Sequence, residues 1–295
     1  MKSIGHGDLC QRLLCAICIE TEDCELTYHQ PMNDRAAKPL IRISQGHLNL
    51  LEICPPKFQQ VYIDCLASLS HPRHQASLDW GSRFHLLMQQ RELGLPIASL
   101  LEEDAELGRA FNALTQAAPH ILEKKNNTWR EAEHWRNTGM GNFLLTAIYD
   151  LIIAETDKAT ILDWKTYRQP QKKAELAKNW QTRLYLYILT ETSEYFPEQI
   201  SLTYWFVKSG IPKSQTFTYT QTQHEKTARD LDNLLQNLEE WLENYNQQKI
   251  DFPHAANCRD KCPYYQILGA KEEAMDTLSD RDRQNLLDSI AEISI

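Results

Sequence analysis

Two acidic positions lie inside apolar runs of strand length, and they constrain this chain more than any other feature. Asp150 interrupts Ala147-Ile148-Tyr149-Asp150-Leu151-Ile152, and Asp163 and Lys165 interrupt Ile161-Leu162-Asp163-Trp164-Lys165-Thr166. A carboxylate in an apolar strand loses solvation unless something compensates it. Asp163 and Lys165 are two residues apart, so they share one face of a strand, while Trp164 points to the other and reads as core. The turn-like Glu155-Thr156-Asp157-Lys158 separates a strand over 142–154 from one over 159–165, which is a hairpin signal. Such a hairpin can deliver Asp150 and Asp163 to one end of a sheet. Two carboxylates there repel each other unless a cation lies between them. Mg2+, or Mn2+ in its place, is the oxygen-preferring ion that suits the demand. Lys165 would then lie beside a metal-bound water and a phosphate, orienting the one or stabilising charge on the other. The bland alternative is a surface Asp-Lys ion pair with Asp150 partnered elsewhere, and a lone D-x-K is common.

The periodicity around this hairpin predicts an α/β fold with a central mixed sheet flanked by helices and preceded by a helical region. Ser44 can cap a helix carrying Leu48, Leu50, Leu51 and Ile53, and Pro55-Pro56 interrupts it before Phe58, Val61 and Tyr62. Further helices are expected over 75–93 and 97–116. A strand at 129–136 then precedes the hairpin. A helix over 172–192, strands over 201–207 and 215–220, and a helix over 222–248 follow, the last with Leu231, Leu234, Leu235, Leu238 and Leu242. The expected organisation is an N-terminal extension at 1–31, a single domain at 32–270 and a polar tail at 271–295. Within the domain, 40–125 is helical, 126–220 is the catalytic core and 221–268 holds a helix and a Cys-bearing loop.

The formal net charge is -9 and the pI about 5.6, which counts against a simple nucleic-acid binder. It does not exclude a site of carboxylates and metal, which is acidic until its ion arrives. No run approaches the apolar length that spans a bilayer. The stretch Leu13–Ile19 lacks the basic start, longer apolar run and cleavage site of a secretory signal. The expectation is a cytoplasmic protein with no membrane partner. Cys10, Cys15, Cys18 and Cys24 are spaced C-x4-C-x2-C-x5-C. A loosely ordered extension and a small zinc site are the two readings of that segment.

With the hairpin in place, further motifs fall in order. Gly81-Ser82-Arg83-Phe84-His85 is a G-x-x-x-H, Glu131-Ala132-Glu133 is an acidic strand, Asp163-Trp164-Lys165-Thr166 is a D-x-K-T, and Gln181-Thr182-Arg183-Leu184-Tyr185 is a Q-x-x-x-Y. Over 44–262 the chain resembles the RecB-like branch of the PD-(D/E)XK nucleases, which includes CRISPR-associated and repair exonucleases. The resemblance implies a restriction-endonuclease-like fold and a Mg2+-dependent DNA nuclease, exonuclease-type, of repair, recombination or defence. It implies Asp150, Asp163 and Lys165 as catalytic residues and His85 as a metal ligand with Asp150 and Asp163. Gln181 and Tyr185 would contact DNA or support the catalytic face; Glu131 and Glu133 would support it, and Arg168 could meet phosphate. Gln181 and Tyr185 are i and i+4 and share a helix face in any case. Stacking of unpaired bases would suit Tyr167 and Tyr185, and core packing explains them too.

Many members of that branch hold an iron–sulfur cluster through one upstream and three downstream cysteines. Here Cys54 is upstream, only Cys258 and Cys262 are downstream, and the four-thiolate set is incomplete. His254 could complete a Cys3His site suited to zinc; a remnant motif without metal is the alternative. The competing function is a catalytically silent module of the same fold, binding DNA or a helicase or other repair or defence protein. A hydrolase of small molecules is a third class, opposed by the Q-x-x-x-Y helix. No G-x-x-x-x-G-K-[ST] motif is present, so unwinding would need a partner.

Overall fold

In the computed structural model, residues 40–66, 72–123, 128–167, 171–208 and 210–255 are described. They form an α/β structure whose six strands are β1 (Ile41–Ile43), β2 (Trp129–Met140), β3 (Phe143–Ala154), β4 (Ala159–Lys165), β5 (Ile200–Phe206) and β6 (Lys213–Thr218). The helices are α1 (Gln45–Ile53), α2 (Pro55–Phe58), α3 (Pro72–Glu92), α4 (Ala98–Glu103), α5 (Ala105–Ala117), α6 (Pro119–Leu122), α7 (Lys173–Lys178), α8 (Trp180–Glu191) and α9 (Gln221–Gln248). A π-turn covers Gln59–Ile63 and a 3-10 turn Pro197–Gln199. The sheet runs β1-β3-β4-β5-β6, with β2 pairing β3. β3–β4 and β5–β6 are antiparallel, whereas β1–β3 and β4–β5 are parallel. The mixed sheet flanked by helices is as expected. No described helix is long and apolar enough to cross a membrane.

The chain divides into two compact units. Of the described residues, one draws on 40–66, 139–145 and 231–255, the other on those within 72–138 and 146–230. In the first, Phe58 and Phe252 stack at 6.3 Å between centroids, and the Gln59 amide donates to Asp251 at 2.9 Å and accepts the Phe252 N–H at 2.7 Å. Cys54 is buried here. Cys65 is half-buried and has a left-handed φ of 56°.

The second unit holds the side chains of the candidate site. One face of its sheet presents Leu151, Leu162, Trp164, Trp205 and Val207 to Trp80, Phe84, Leu87 and Met88 of α3 and to Leu107, Phe111 and Leu114 of α5. The opposite face meets α8, where Thr182 and the Tyr204 hydroxyl are 2.8 Å apart. The alternation along β4 therefore sends Trp164 into core and Asp163 and Lys165 toward α8, as period two requires. Two helices expected as single runs are broken by their own caps. Asp104 accepts N–H bonds from Glu106 and Leu107 at 2.9 and 3.1 Å, and Asn179 accepts one from Gln181 at 2.8 Å. Cap side chains satisfy the orphan donors of a new first turn. The three-residue β1 was missed from sequence because it is too short to show a period.

Candidate metal centre

The site forms where the β3–β4 ladder stops. Its turn closes with Glu155 N–H donating to Lys158 carbonyl at 2.9 Å, and the paired residues run from Ala154↔Ala159 to Leu151↔Leu162. One further step would set Asp150 opposite Asp163. Instead the Asp150 carboxylate swings in and accepts the Trp164 N–H through Oδ2 at 2.6 Å. The strand end is thereby satisfied by a side chain, and Oδ1 of Asp150 is left for other partners.

His85, on α3, supplies one of them. Its Nδ1 lies 3.3 Å from Asp150 Oδ1 and 3.9 Å from Glu133 Oε1, and its Nε2 lies 3.0 Å from the Trp164 carbonyl. A carbonyl only accepts, so Nε2 carries a proton. In the neutral ring the Nδ1 lone pair then faces the two acids. Metal-binding histidines are commonly oriented by a backbone carbonyl in this way. Burial alone would lower the His85 pKa. The Asp150 carboxylate, helped by Asp163 and Glu133, outweighs it and raises the value to about 9. The cluster thus carries a surplus of negative potential that a cation can relieve. Ligand atoms of His85, Glu133 and Asp150 lie within 4.8 Å of one another, the one such group among the described residues. A nitrogen and two carboxylate oxygens fit a divalent ion such as Mg2+ or Mn2+.

Glu133 enters this group through its backbone. Its φ is 52°, the left-handed region, within β2. Such a conformation is uncommon outside glycine and clusters at functional sites. Alternation along β2 makes Glu131 and Glu133 equivalent in sequence; the backbone separates them. Glu131 is half exposed and pairs with His134 at 2.9 Å. Burial first, then Asp150 and Asp163, raise the Glu133 pKa.

Asp163 stands outside that group of three. It is 3% exposed, with Oδ1 2.8 Å from the Lys165 ammonium and Oδ2 accepting the Gln181 amide at 2.6 Å. Gln181 Oε1 accepts from Lys165 at 2.6 Å, so Gln181 closes a three-residue ring. The ammonium also sits 4.7 Å from the Tyr204 ring centroid. Burial raises the Asp163 pKa, Lys165 opposes the rise and Asp150 adds to it, leaving it above the ordinary range. Its neighbours thus retain Asp163 beside Lys165 and within the electrostatic reach of Asp150.

Tyr185 is 3% exposed, its carbonyl accepts the Tyr149 hydroxyl at 3.0 Å, and the two rings meet edge-on at 5.2 Å. It supports the wall of the site and reaches no surface. Tyr167 packs edge-on against Phe206 at 5.6 Å, so core packing accounts for both tyrosines. Gly81 explains how α3 comes close enough: a Cβ there would stand 3.0 Å from Thr166 Oγ1. Thus the glycine of the G-x-x-x-H meets the threonine of the D-x-K-T, one helical turn from His85. Arg168, Cys258 and Cys262 lie outside the described residues, as do 1–31 and 271–295. Cys54 and His254 are described, but the four-ligand set proposed for them extends beyond the described chain.

A family model for the PD-(D/E)XK nuclease superfamily matches residues 42–267. Among solved structures, the chain resembles a protein of Eubacterium rectale described as a "putative exonuclease", with 10% identity, a TM-score of 0.46, and coverage of 82% of this chain and 87% of that one. It also resembles SSO0001, with 12% identity, a TM-score of 0.32, and coverage of 80% and 88% respectively. No curated protein matches by sequence. With a match from 42 to 267 and the acids seated at the end of the β3–β4 hairpin, this chain belongs to the PD-(D/E)XK nuclease superfamily.

Proposed function

We propose that this protein is a divalent-metal-dependent DNA nuclease of the RecB-like kind that hydrolyses phosphodiesters, exonuclease-type, in DNA repair, recombination or defence. The observation that carries the reading is the meeting of His85, Glu133 and Asp150 within 4.8 Å beside a Lys165–Gln181–Asp163 ring. His85, Glu133 and Asp150 would hold the ion, with Asp163 next to them. A divalent ion held there would supply a water of lowered pKa and polarise a phosphoryl oxygen.

The chain's own groups do the rest. Trp164 fixes Asp150 through its N–H and His85 through its carbonyl, so one peptide segment orients two of the ligands. Gln181 holds the Lys165 ammonium in place before substrate arrives. A preorganised cation of this kind stabilises charge growing on a phosphate without reorganising. In-line attack by water would form the new phosphorus–oxygen bond as the bond to the leaving oxygen breaks, the water giving up its proton to solvent and the leaving oxygen taking one back, and Lys165 would steady the oxygens that gain charge. A silent binding module has no need of an ammonium so held.

The test is incubation of labelled single- and double-stranded DNA with Mg2+ or Mn2+, with an EDTA control, for the natural chain and for Asp163→Asn and Lys165→Met. We expect cleavage that EDTA stops and that each substitution lowers by at least about a hundredfold. Binding without cleavage under every metal condition would leave the silent module standing. Full cleavage by both variants would reject the assignment of the site.

A further inference from the structure

Helix α8 gives Gln181 to the candidate metal centre, while its Thr182, Arg183 and Leu186 line a separate cavity of about 220 Å3. Phe217 in β6 and Tyr219 just beyond it supply two rings to that cavity, and the start of α9 supplies Gln223, Lys226 and Thr227. The lining holds three cations, Lys178, Arg183 and Lys226, and no acid, in a chain of net charge -9. Lys178 is exposed and has no ionic partner among the described residues. The Arg183 side chain is 16% exposed, and its guanidinium lies 4.1 Å from the Trp180 ring centroid, which fixes its plane. Its Nη2 donates to Asp230 Oδ2, an oxygen that also accepts from Lys226. A guanidinium carries five N–H donors, so most of the hydrogen-bonding capacity of Arg183 is unspent where little water reaches it.

We infer that this cavity is a binding site for a small aromatic carboxylate, whose rings meet Phe217, Tyr219 and Leu186 and whose charge meets Arg183 and Lys178. The inference goes beyond the nuclease reading and does not depend on it. Size sets the body of the ligand. An apolar cavity of about 150 Å3 takes a benzene, so one of about 220 Å3 takes a second fused ring. Ring walls favour a ring over an aliphatic chain of equal volume. Charge sets the head group. Asp230 cancels one of the three positive charges and leaves two. A planar guanidinium with free N–H groups matches a carboxylate in two-point geometry. Asp230 shows that carboxylate oxygen suits this arginine. A metal ion would be repelled by the same cations, and a neutral ligand would leave Arg183 as unsatisfied as before.

The experiment is calorimetric titration of the full chain, with no metal added, by 2-naphthoate, by its neutral counterpart 2-naphthamide and by octanoate. The variants are Arg183→Met, Lys178→Met and Ala177→Trp, the last filling the cavity from an exposed position of its lining. We expect naphthoate to bind at least about tenfold more tightly than naphthamide, as a charge-assisted hydrogen bond provides, and more tightly than octanoate. Arg183→Met should weaken naphthoate by about tenfold and Lys178→Met, at the surface, by about threefold. Naphthamide should change by less than about twofold in both, and Ala177→Trp should abolish binding of either. Thermal denaturation shows which variants are folded; should Arg183→Met unfold, Lys178→Met and Ala177→Trp decide. No binding of naphthoate, an amide or octanoate that binds as tightly, or naphthoate binding that survives Ala177→Trp would overturn the assignment. DNA cleavage is read separately on the natural chain, so loss of this site leaves the nuclease reading standing, and loss of that reading leaves this site standing.

Discussion

Asp150 accepts the backbone N–H of Trp164 at 2.6 Å, and this bond makes one acid both a structural anchor and a member of the candidate metal cluster. The two roles separate by substitution. Asp150→Asn keeps an oxygen for the Trp164 N–H and loses the charge, so we expect a folded protein with little metal-dependent cleavage. Asp150→Ala also strands the N–H, at a cost of about 1–3 kcal/mol, partly offset by relief of repulsion toward Glu133 and Asp163. Thermal denaturation beside a cleavage assay reads both. An alanine variant as stable as the asparagine one would show that the bond matters little to the fold.

The raised His85 pKa sets a pH dependence whose sign is fixed. Its folded value of about 9 exceeds an unfolded value near 6.5. In EDTA the pairing therefore contributes fully below about pH 6.5 and fades as pH rises through about 9. The ring is 31% exposed, so we expect on the order of 1 kcal/mol after solvent screening. Metal affinity runs the opposite way, since the ligand is the neutral ring: it should climb up to about tenfold per pH unit until about pH 9. Denaturant titrations and metal titrations across that range check both slopes, and Asp150→Asn should flatten each.

Gly81→Ala tests the contact between the two motifs. Alanine favours the α3 helix by about 1 kcal/mol, but its Cβ meets Thr166 Oγ1 at 3.0 Å. Thr166 can give way by rotation, so overall stability should change by less than about 1 kcal/mol. Whatever part of the clash Thr166 does not absorb shifts α3 and His85 with it, so metal affinity should fall by up to about tenfold, as loss of a ligand's support does. Unaltered affinity would mean that the close approach serves packing alone.

Glu92 and Arg130 form a buried bidentate pair at 2.9 and 3.0 Å, with side chains 8% and 6% exposed. It ties the end of α3, the helix carrying His85, to the start of β2, the strand carrying Glu133. Removing one partner leaves a buried charge, so Glu92→Ala should cost about 3–5 kcal/mol. Replacing both by Met should recover most of that. A double variant no more stable than the single would contradict this account.

Much of this site was legible in the residues. The hairpin, the shared face of Asp163 and Lys165 and the core-facing Trp164 follow from period two, which is a property of the strand itself. The helix face shared by Gln181 and Tyr185 follows from the helical repeat in the same way. The breaks at Asp104 and Asn179 were also present in the sequence, as residues that cap, but a cap inside an apolar run is not distinguished from a solvated polar residue until the chain turns there.

By itself the sequence determined which residues could share a face, because alternation and helical repeat are local. It settled Asp163 with Lys165 and brought Asp150 to the same hairpin. Only the tertiary structure decided which groups meet. His85 is 65 residues before Asp150 and reaches it because Gly81 admits α3 to Thr166. Glu133, not Asp163, completes the group of three, because one left-handed backbone angle turns it inward while Lys165 and Gln181 hold Asp163. Distances between elements come from packing, and packing is a sum over the whole core that no local repeat contains.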